Sequence, residues 1–233
     1  MTWKEVWDAR QMPAAGSLLE RLMGADGLDT AFSSVGEEAW RRYVLETAAA
    51  SGITPGCSVF EVGCGSGAYL YELYRQGCTV AGLDASSALI GYAGQAMPEG
   101  QWQLAEASQL DPSTKYDFVT SGSAFLYFPS LDYAQRVLER MVQKARHGVM
   151  VLDVPDLATR DQALATRRRI AGEDAYASKY EGLDHLYISR SWFRSTLADL
   201  NVADVRIKNQ QIEGYANSAY RYNVFAAIAP SMP

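Results

Sequence analysis

The chain has 233 residues, 48% of them hydrophobic and 21% charged, the composition of a globular domain with room for a substantial core. Its formal net charge is −6, from 21 Lys and Arg against 27 Asp and Glu, which argues against the basic footprint of a general nucleic-acid binder. Three cysteines without C-x-x-C spacing suggest neither zinc nor a disulfide framework, and no apolar run nears the roughly 20 residues that span a bilayer; the expectation is a cytoplasmic protein with no membrane, nucleic-acid or metal partner.

Residues 1–51 read as helix in pieces. The first residues, Met1 to Asp8, are charged and lack the apolar core of a signal peptide. Trp3 and Trp7 lie one helical turn apart and share a face. Ser17 to Met23 forms a short amphipathic piece, and Gly24 to Asp29 reads as a loop. Ser34-Val35-Gly36-Glu37 has the form of a capping box for a helix from Glu37 to Ala50. Trp40, Tyr43, Val44 and Ala48 give that helix an apolar stripe suited to packing on a sheet. Ile53-Thr54-Pro55-Gly56 is turn chemistry.

A buried strand, Ser58 to Val62, then runs into Gly63-Cys64-Gly65-Ser66-Gly67-Ala68 and a helix through Tyr74. Such a loop brings backbone and a helix N-terminus close to a ligand. A dinucleotide is one option, since the glycine spacing formally fits its fingerprint. Glu61 favours another, because a carboxylate beside the loop repels a pyrophosphate and attracts an ammonium group. The run Glu61-Val62-Gly63-Cys64-Gly65-Ser66-Gly67 closely resembles motif I of the class I S-adenosylmethionine (SAM)-dependent methyltransferases. The resemblance implies an α/β fold: a Rossmann-like sheet of seven strands, mostly parallel with one antiparallel strand, flanked by helices. It also implies that Glu61, Gly63, Cys64, Gly65 and Gly67 meet SAM, and that Trp3 and Trp7 belong to a lid.

A second strand, Cys78 to Asp84, follows a helix that Gly77 closes. Asp84 lies 21 residues after Gly63, the spacing that puts a carboxylate beside a ribose, with Ala85 next to it. Ser86 to Met97 reads as helix and Trp102 to Ala107 as the third strand. Glu106 and Ala107 match the family's adenine-contacting positions, although Asp is usual where Glu106 stands. Lys115 to Ser121 is the fourth strand and resembles the motif that completes the cofactor crevice, which adds Ser121. Leu126-Tyr127-Phe128-Pro129 departs from relatives that carry a histidine near Leu126, so a base at that point is missing. Leu131 to Ala145 is an amphipathic helix, His147-Gly148 a turn, and Val149 to Val154 the fifth strand.

Pro155 to Ile188 is a long insertion with helix expected over Arg160 to Ala177. Its Arg167-Arg168-Arg169 run reads as a solvated face. Ser191 is placed to cap a helix from Trp192 to Leu200, and Val202 to Lys208 and Tyr222 to Ile228 alternate like the strands of a hairpin. The expected organisation is a single domain: a helical lid (1–51), a SAM-binding core (52–155), a substrate-side insertion (156–190) and a C-terminal helix and hairpin (191–233).

Methyl transfer from a sulfonium chiefly requires positioning and exclusion of water. His185 and Tyr127 are the catalytic candidates, and Tyr187, Arg190, Tyr215, Tyr220 and Arg221 the candidate acceptor contacts. The arginines suit an anionic acceptor. The reading is transfer of the SAM methyl group to a small molecule, leaving S-adenosyl-L-homocysteine. A SAM-binding protein that does not methylate is the alternative, and an NAD-linked oxidoreductase a further one.

Overall fold

Strands buried on both faces read as continuous apolar runs rather than as alternations. In the computed structural model, which describes residues 2–200 and 202–229, such runs make the centre of one sheet. They are β1 (Ser58–Val62), β2 (Thr79–Asp84), β4 (Tyr116–Gly122) and β5 (Ala145–Pro155), while the short β3 (Gln101–Leu104) is largely exposed at an edge. With β6 (Val202–Asn209) and β7 (Arg221–Ile228), the seven-stranded order is β3-β2-β1-β4-β5-β7-β6. Every pair from β3 to β5 is parallel, whereas β7 runs antiparallel to both β5 and β6. The strand order reverses between β1 and β4, where open α/β sheets place a ligand crevice.

Helices α3 (Glu37–Ser51) and α4 (Ala68–Arg75) cover one face, burying Val44, Leu70 and Leu73 against Val59, Val80 and Met150. The other face packs Phe60, Val62 and Tyr222 beneath α6 (Leu131–Lys144) and α9 (Arg190–Ala198), including Met141 and Phe193. Helix α5 (Ser87–Ala96) leads into β3. The N-terminal α1 (Trp3–Asp8) and α2 (Leu18–Met23) lie over the loop end, where Leu19, Leu22 and Met23 pack on Ala68 of α4. No helix among the described residues is long and apolar enough to cross a membrane.

Several local expectations are corrected. Ser34 does not cap α3; Gly36 occupies the N-cap without a side-chain bond, and Ser34 Oγ donates to the Gly214 carbonyl at 3.2 Å. Gly24 to Leu28 is a π-helical turn rather than open loop. The insertion helix breaks at Gly172 (φ +83°), giving α7 (Arg160–Ala171) and α8 (Glu173–Tyr180). Arg168 and Arg169 are exposed, but Arg167 is buried among the rings of Phe32, Tyr176 and Tyr180. Ser189, not Ser191, caps α9, accepting from the Trp192 amide at 3.2 Å. His147 belongs to β5, because pairing of Ala145 with Tyr116 starts that strand early.

Helix α3 ends at Gly52, whose φ of +87° only glycine adopts without cost. A Cβ there would meet nothing within 4 Å, so Gly52→Ala isolates the backbone penalty. The expected loss is about 1–2 kcal/mol, read as a lower urea midpoint at unchanged slope.

Candidate functional site

A cavity of about 370 Å³ opens at the C-terminal ends of β1, β2, β4 and β5, within the size range of small-molecule sites. The glycine loop forms its floor. Gly63, Gly65 and Gly67 all have positive φ, at +71°, +56° and +85°. At Gly63 a Cβ would stand 2.5 Å from that of Ala124, so the loop needs glycine there both for conformation and for space.

Among the charged residues of the lining, carboxylates dominate. Glu61, at the end of β1, is 2% exposed, and its Oε2 has no hydrogen-bond partner among the described residues. Burial, reinforced by the charge of Asp26, pushes its pKa well above the usual carboxylate value. Asp84 ends β2; its Oδ2 accepts from the Gly65 amide at 2.9 Å and its Oδ1 from the Ser86 amide at 2.8 Å. Burial raises its pKa too, against the pull of those bonds. Asp26 enters from the π-helical turn, accepting from the amides of Ser66 (2.6 Å) and Ala68 (3.1 Å). Its carboxyl is pushed up to about 7, mainly by burial. Glu106 and Ala107 line the far end beyond β3, with Ala85 beside Asp84. Lys4 is the one basic side chain among the described lining residues, and it pairs with Asp8 at 2.5 Å.

The opposite end is aromatic and polar. Trp3 and Trp7 of α1 roof the cavity over Tyr127, with ring centroids 4.6 and 5.4 Å from it. Trp3 also stacks on His185 at 5.1 Å and donates from Nε1 to the Asp184 carbonyl at 3.2 Å. Two non-glycine residues with positive φ, Ser123 (+52°) and Asp153 (+60°), follow β4 and sit in β5, and both line the cavity. Ser123 Oγ donates to Asp153 Oδ2 at 2.8 Å. Gln210 Nε2 donates to Oδ1 at 2.8 Å, and the Tyr215 hydroxyl reaches Oδ2 at 3.5 Å. Arg221, buried, donates to the Asp153 carbonyl at 3.0 Å and pairs with its carboxylate at 3.6 Å. Strain of this kind persists where the surroundings impose it, commonly at working sites.

The cavity therefore gathers Glu61, Gly63, Gly65, Asp84, Ala85, Glu106, Ala107, Tyr127 and Tyr215. Other candidates stand behind it. Cys64 is buried in the core beneath the loop, Gly67 packs on Met97, and Ser121 Oγ donates to the Val62 carbonyl at 2.8 Å. Arg190 is held by Asp156 (2.8 Å) and Asn209 (2.7 Å), and Tyr220 pairs with Thr166 at 2.8 Å. Tyr187 lies beneath the Arg160 guanidinium, 5.8 Å from its ring centre. Arg221 is committed to Asp153 rather than open to a ligand.

His185 lies outside the lining, behind Trp3. Its Nδ1 is 3.2 Å from Arg167 Nη1 and accepts from that cation, which leaves Nε2 to carry the ring proton. Burial, then the charges of Arg167 and Arg221, hold its pKa well below the usual histidine value. As arranged, its Nε2–H can donate a hydrogen bond, while Nδ1 is occupied by Arg167 and the ring is a poor base. Sequence reading missed Asp26, Ser123 and Asp153. Only Asp153 left a trace, as a further acid near the end of an apolar strand, after Glu61 and Asp84.

The orphaned Glu61 oxygen and its acidic surroundings fit a ligand that brings a cation and several hydrogen-bond donors, and they oppose a pyrophosphate. Residues 59–148 match the family model described as a methyltransferase domain. The magnesium-protoporphyrin O-methyltransferase of Rhodobacter capsulatus is 28% identical over 107 residues, 44% of this chain and 47% of that protein. The chain spans at most about half the length of the curated relatives it matches. Among solved structures, the magnesium protoporphyrin IX methyltransferase of Synechocystis PCC 6803 with bound SAM aligns over 93% of this chain and all of that one, at TM-score 0.59 and 17% identity. The N-methyltransferase NodS of Bradyrhizobium japonicum WM9, in complex with S-adenosyl-L-homocysteine, aligns over 98% and 97% at TM-score 0.61 and 15% identity. Residues 59–148 thus match a methyltransferase domain, and the chain shares the fold of the two methyltransferases above, solved with SAM and with S-adenosyl-L-homocysteine bound.

Proposed function

We propose that the chain transfers the methyl group of SAM to a small molecule held beneath Trp3 and Trp7. The observation that carries this reading is the roofed cavity, acidic at the glycine loop and aromatic at the other end. SAM supplies a methyl group already activated on a sulfonium. The chain's part is to position and to exclude water. Glu61 and Asp84 would hold the ammonium and the ribose hydroxyls, with Glu106 and Ala107 at the adenine. Tyr127, Tyr215 and the Ser123–Asp153 pair would orient the acceptor. In this reading residues 1–51 form the lid, 52–155 the cofactor core, 156–190 the wall behind the acceptor, and 191–233 the closing helix and hairpin.

A small acceptor suits the roof of α1, which leaves a polymer little access, and the similar proteins named above include O- and N-methyltransferases. The carboxylates around the loop oppose NAD. The test is formation of S-adenosylhomocysteine from SAM with pools of small hydroxyl, amine and thiol acceptors, run beside tRNA and peptide pools. Turnover confined to a small-molecule pool is expected. Turnover only with a polymer would overturn the acceptor class, and tight SAM binding without turnover in any pool would favour the non-methylating alternative.

A further inference from the structure

Asp26 reaches the glycine loop from a separate part of the chain, and it does so rigidly. The π-helical turn Gly24–Leu28 contains Gly27 at φ +88°, and it follows directly on α2, which packs onto Ala68. Ser66 Oγ donates back to the Leu22 carbonyl at 3.0 Å, tying loop and turn together. The Asp26 carboxylate then accepts from the amide of Ser66, in the loop just before the N-cap Gly67, and from that of Ala68, the first residue of α4. A Cβ on Gly65 would collide with Asp26 Oδ1, so the middle glycine leaves room for this side chain. These amides are where a helix N-terminus receives an anion. Here the chain provides its own.

Each Asp26 oxygen takes one of these amides, which leaves acceptor capacity on both, and Asp26 lines the cavity. Glu61 faces the same cavity, 2% exposed, with Oε2 lacking any partner among the described residues. Asp84 stands on the third side, joined to the same loop through the Gly65 amide. Buried like charges so placed are costly until a cation comes between them. An anionic ligand group would have to displace Asp26 and then sit among the remaining carboxylates.

We propose that Asp26 is a specificity-determining residue of the cofactor site: its carboxylate fills the anion position of the glycine loop and, together with Glu61, receives the α-ammonium group at the methionine end of the cofactor. This rests on the SAM reading above. It makes the N-terminal segment part of the binding site, and it rejects phosphate-bearing cofactors at the loop itself.

The test crosses two ligands with two proteins. S-adenosyl-L-homocysteine carries the amino-acid end; 5′-methylthioadenosine has the same nucleoside and thioether without it. Both are titrated calorimetrically into the wild type and into Asp26→Asn. The expected result is at least a tenfold loss of S-adenosylhomocysteine affinity in the variant, with methylthioadenosine affinity kept within about twofold, a charge-assisted bond being worth that much or more. Retained methylthioadenosine binding also shows that the variant is folded. Should Asp26→Asn not fold, Asp26→Ser, which keeps an oxygen near the loop amides, takes its place. An equal loss for both ligands would make Asp26 a mere prop of the loop and overturn the inference, as would no loss for either. A wild type that binds neither ligand would instead bring down the SAM reading itself.

Discussion

Glu61→Gln is expected to weaken S-adenosylhomocysteine binding by two to three orders of magnitude while making the ligand-free protein more heat-stable at neutral pH. The two effects share one cause. Glu61 is buried, and its Oε2 has no partner among the described residues, so an ionised Glu61 is uncompensated unless a ligand cation meets it. Removing one member of a buried charge pair costs about 3–5 kcal/mol, and every 1.4 kcal/mol is tenfold in affinity. In the ligand-free protein the sign reverses. The folded-state pKa of Glu61 is raised above its ordinary 4.5, by burial first and Asp26 second. A carboxyl shifted upward stabilises the fold most below its unfolded pKa and loses that contribution as pH rises through the folded value. Asp26, raised from 3.8 to about 7, adds to the same trend, its share fading between those values. The ligand-free wild type should therefore lose melting temperature as pH climbs from 5 to 8, and Glu61→Gln should flatten much of that slope. Melting curves across this range check the prediction. A variant that loses both binding and stability would show that Glu61 already has a partner in the folded chain.

Asp84→Ala is expected to reduce the affinity for S-adenosylhomocysteine and for 5′-methylthioadenosine alike, by about a hundredfold. Asp84 fixes the loop through the Gly65 amide and the start of α5 through the Ser86 amide, and it lines the cavity between them. Two neighbouring ribose hydroxyls can each donate to one carboxylate, and bonds to a charged acceptor are worth about 1.5–3 kcal/mol each. Because both ligands carry the ribose, both should suffer. That separates Asp84 from Asp26, whose loss should spare methylthioadenosine. Calorimetry with the two ligands reads the difference, and unchanged methylthioadenosine binding would refute the ribose assignment.

The cofactor half of this site was legible in the sequence because its parts are local. A strand, a glycine turn and a helix sit within 18 residues, and their spacing fixes where Glu61 and Gly63 stand whatever surrounds them. Asp84 came from the same rule, one βα unit of known length. The tail was readable as two strands, while the antiparallel sense of β7 came from the family resemblance; β7 itself is almost continuously buried rather than alternating. Local rules failed where a distant group competed. Ser34 looked like a cap until Gly214 offered its carbonyl, and Ser191 lost its helix to Ser189 two residues earlier. Arg167 looked solvated as part of a basic run, yet Phe32, 135 residues away in the chain, forms part of its cage.

By itself, then, the sequence determined the individual central strands, the glycine loop and the acids at the ends of β1 and β2, since each depends on neighbours only a few residues off. Tertiary structure alone decided which side chains face the cavity. It brought Asp26 onto a loop 40 residues downstream, turned His185 into a donor by setting Arg167 against it, and joined Ser123, Asp153 and Arg221 across three strand ends. Those contacts depend on how separate elements dock, and on which buried charges that docking leaves paired or alone. No periodicity along the chain records either.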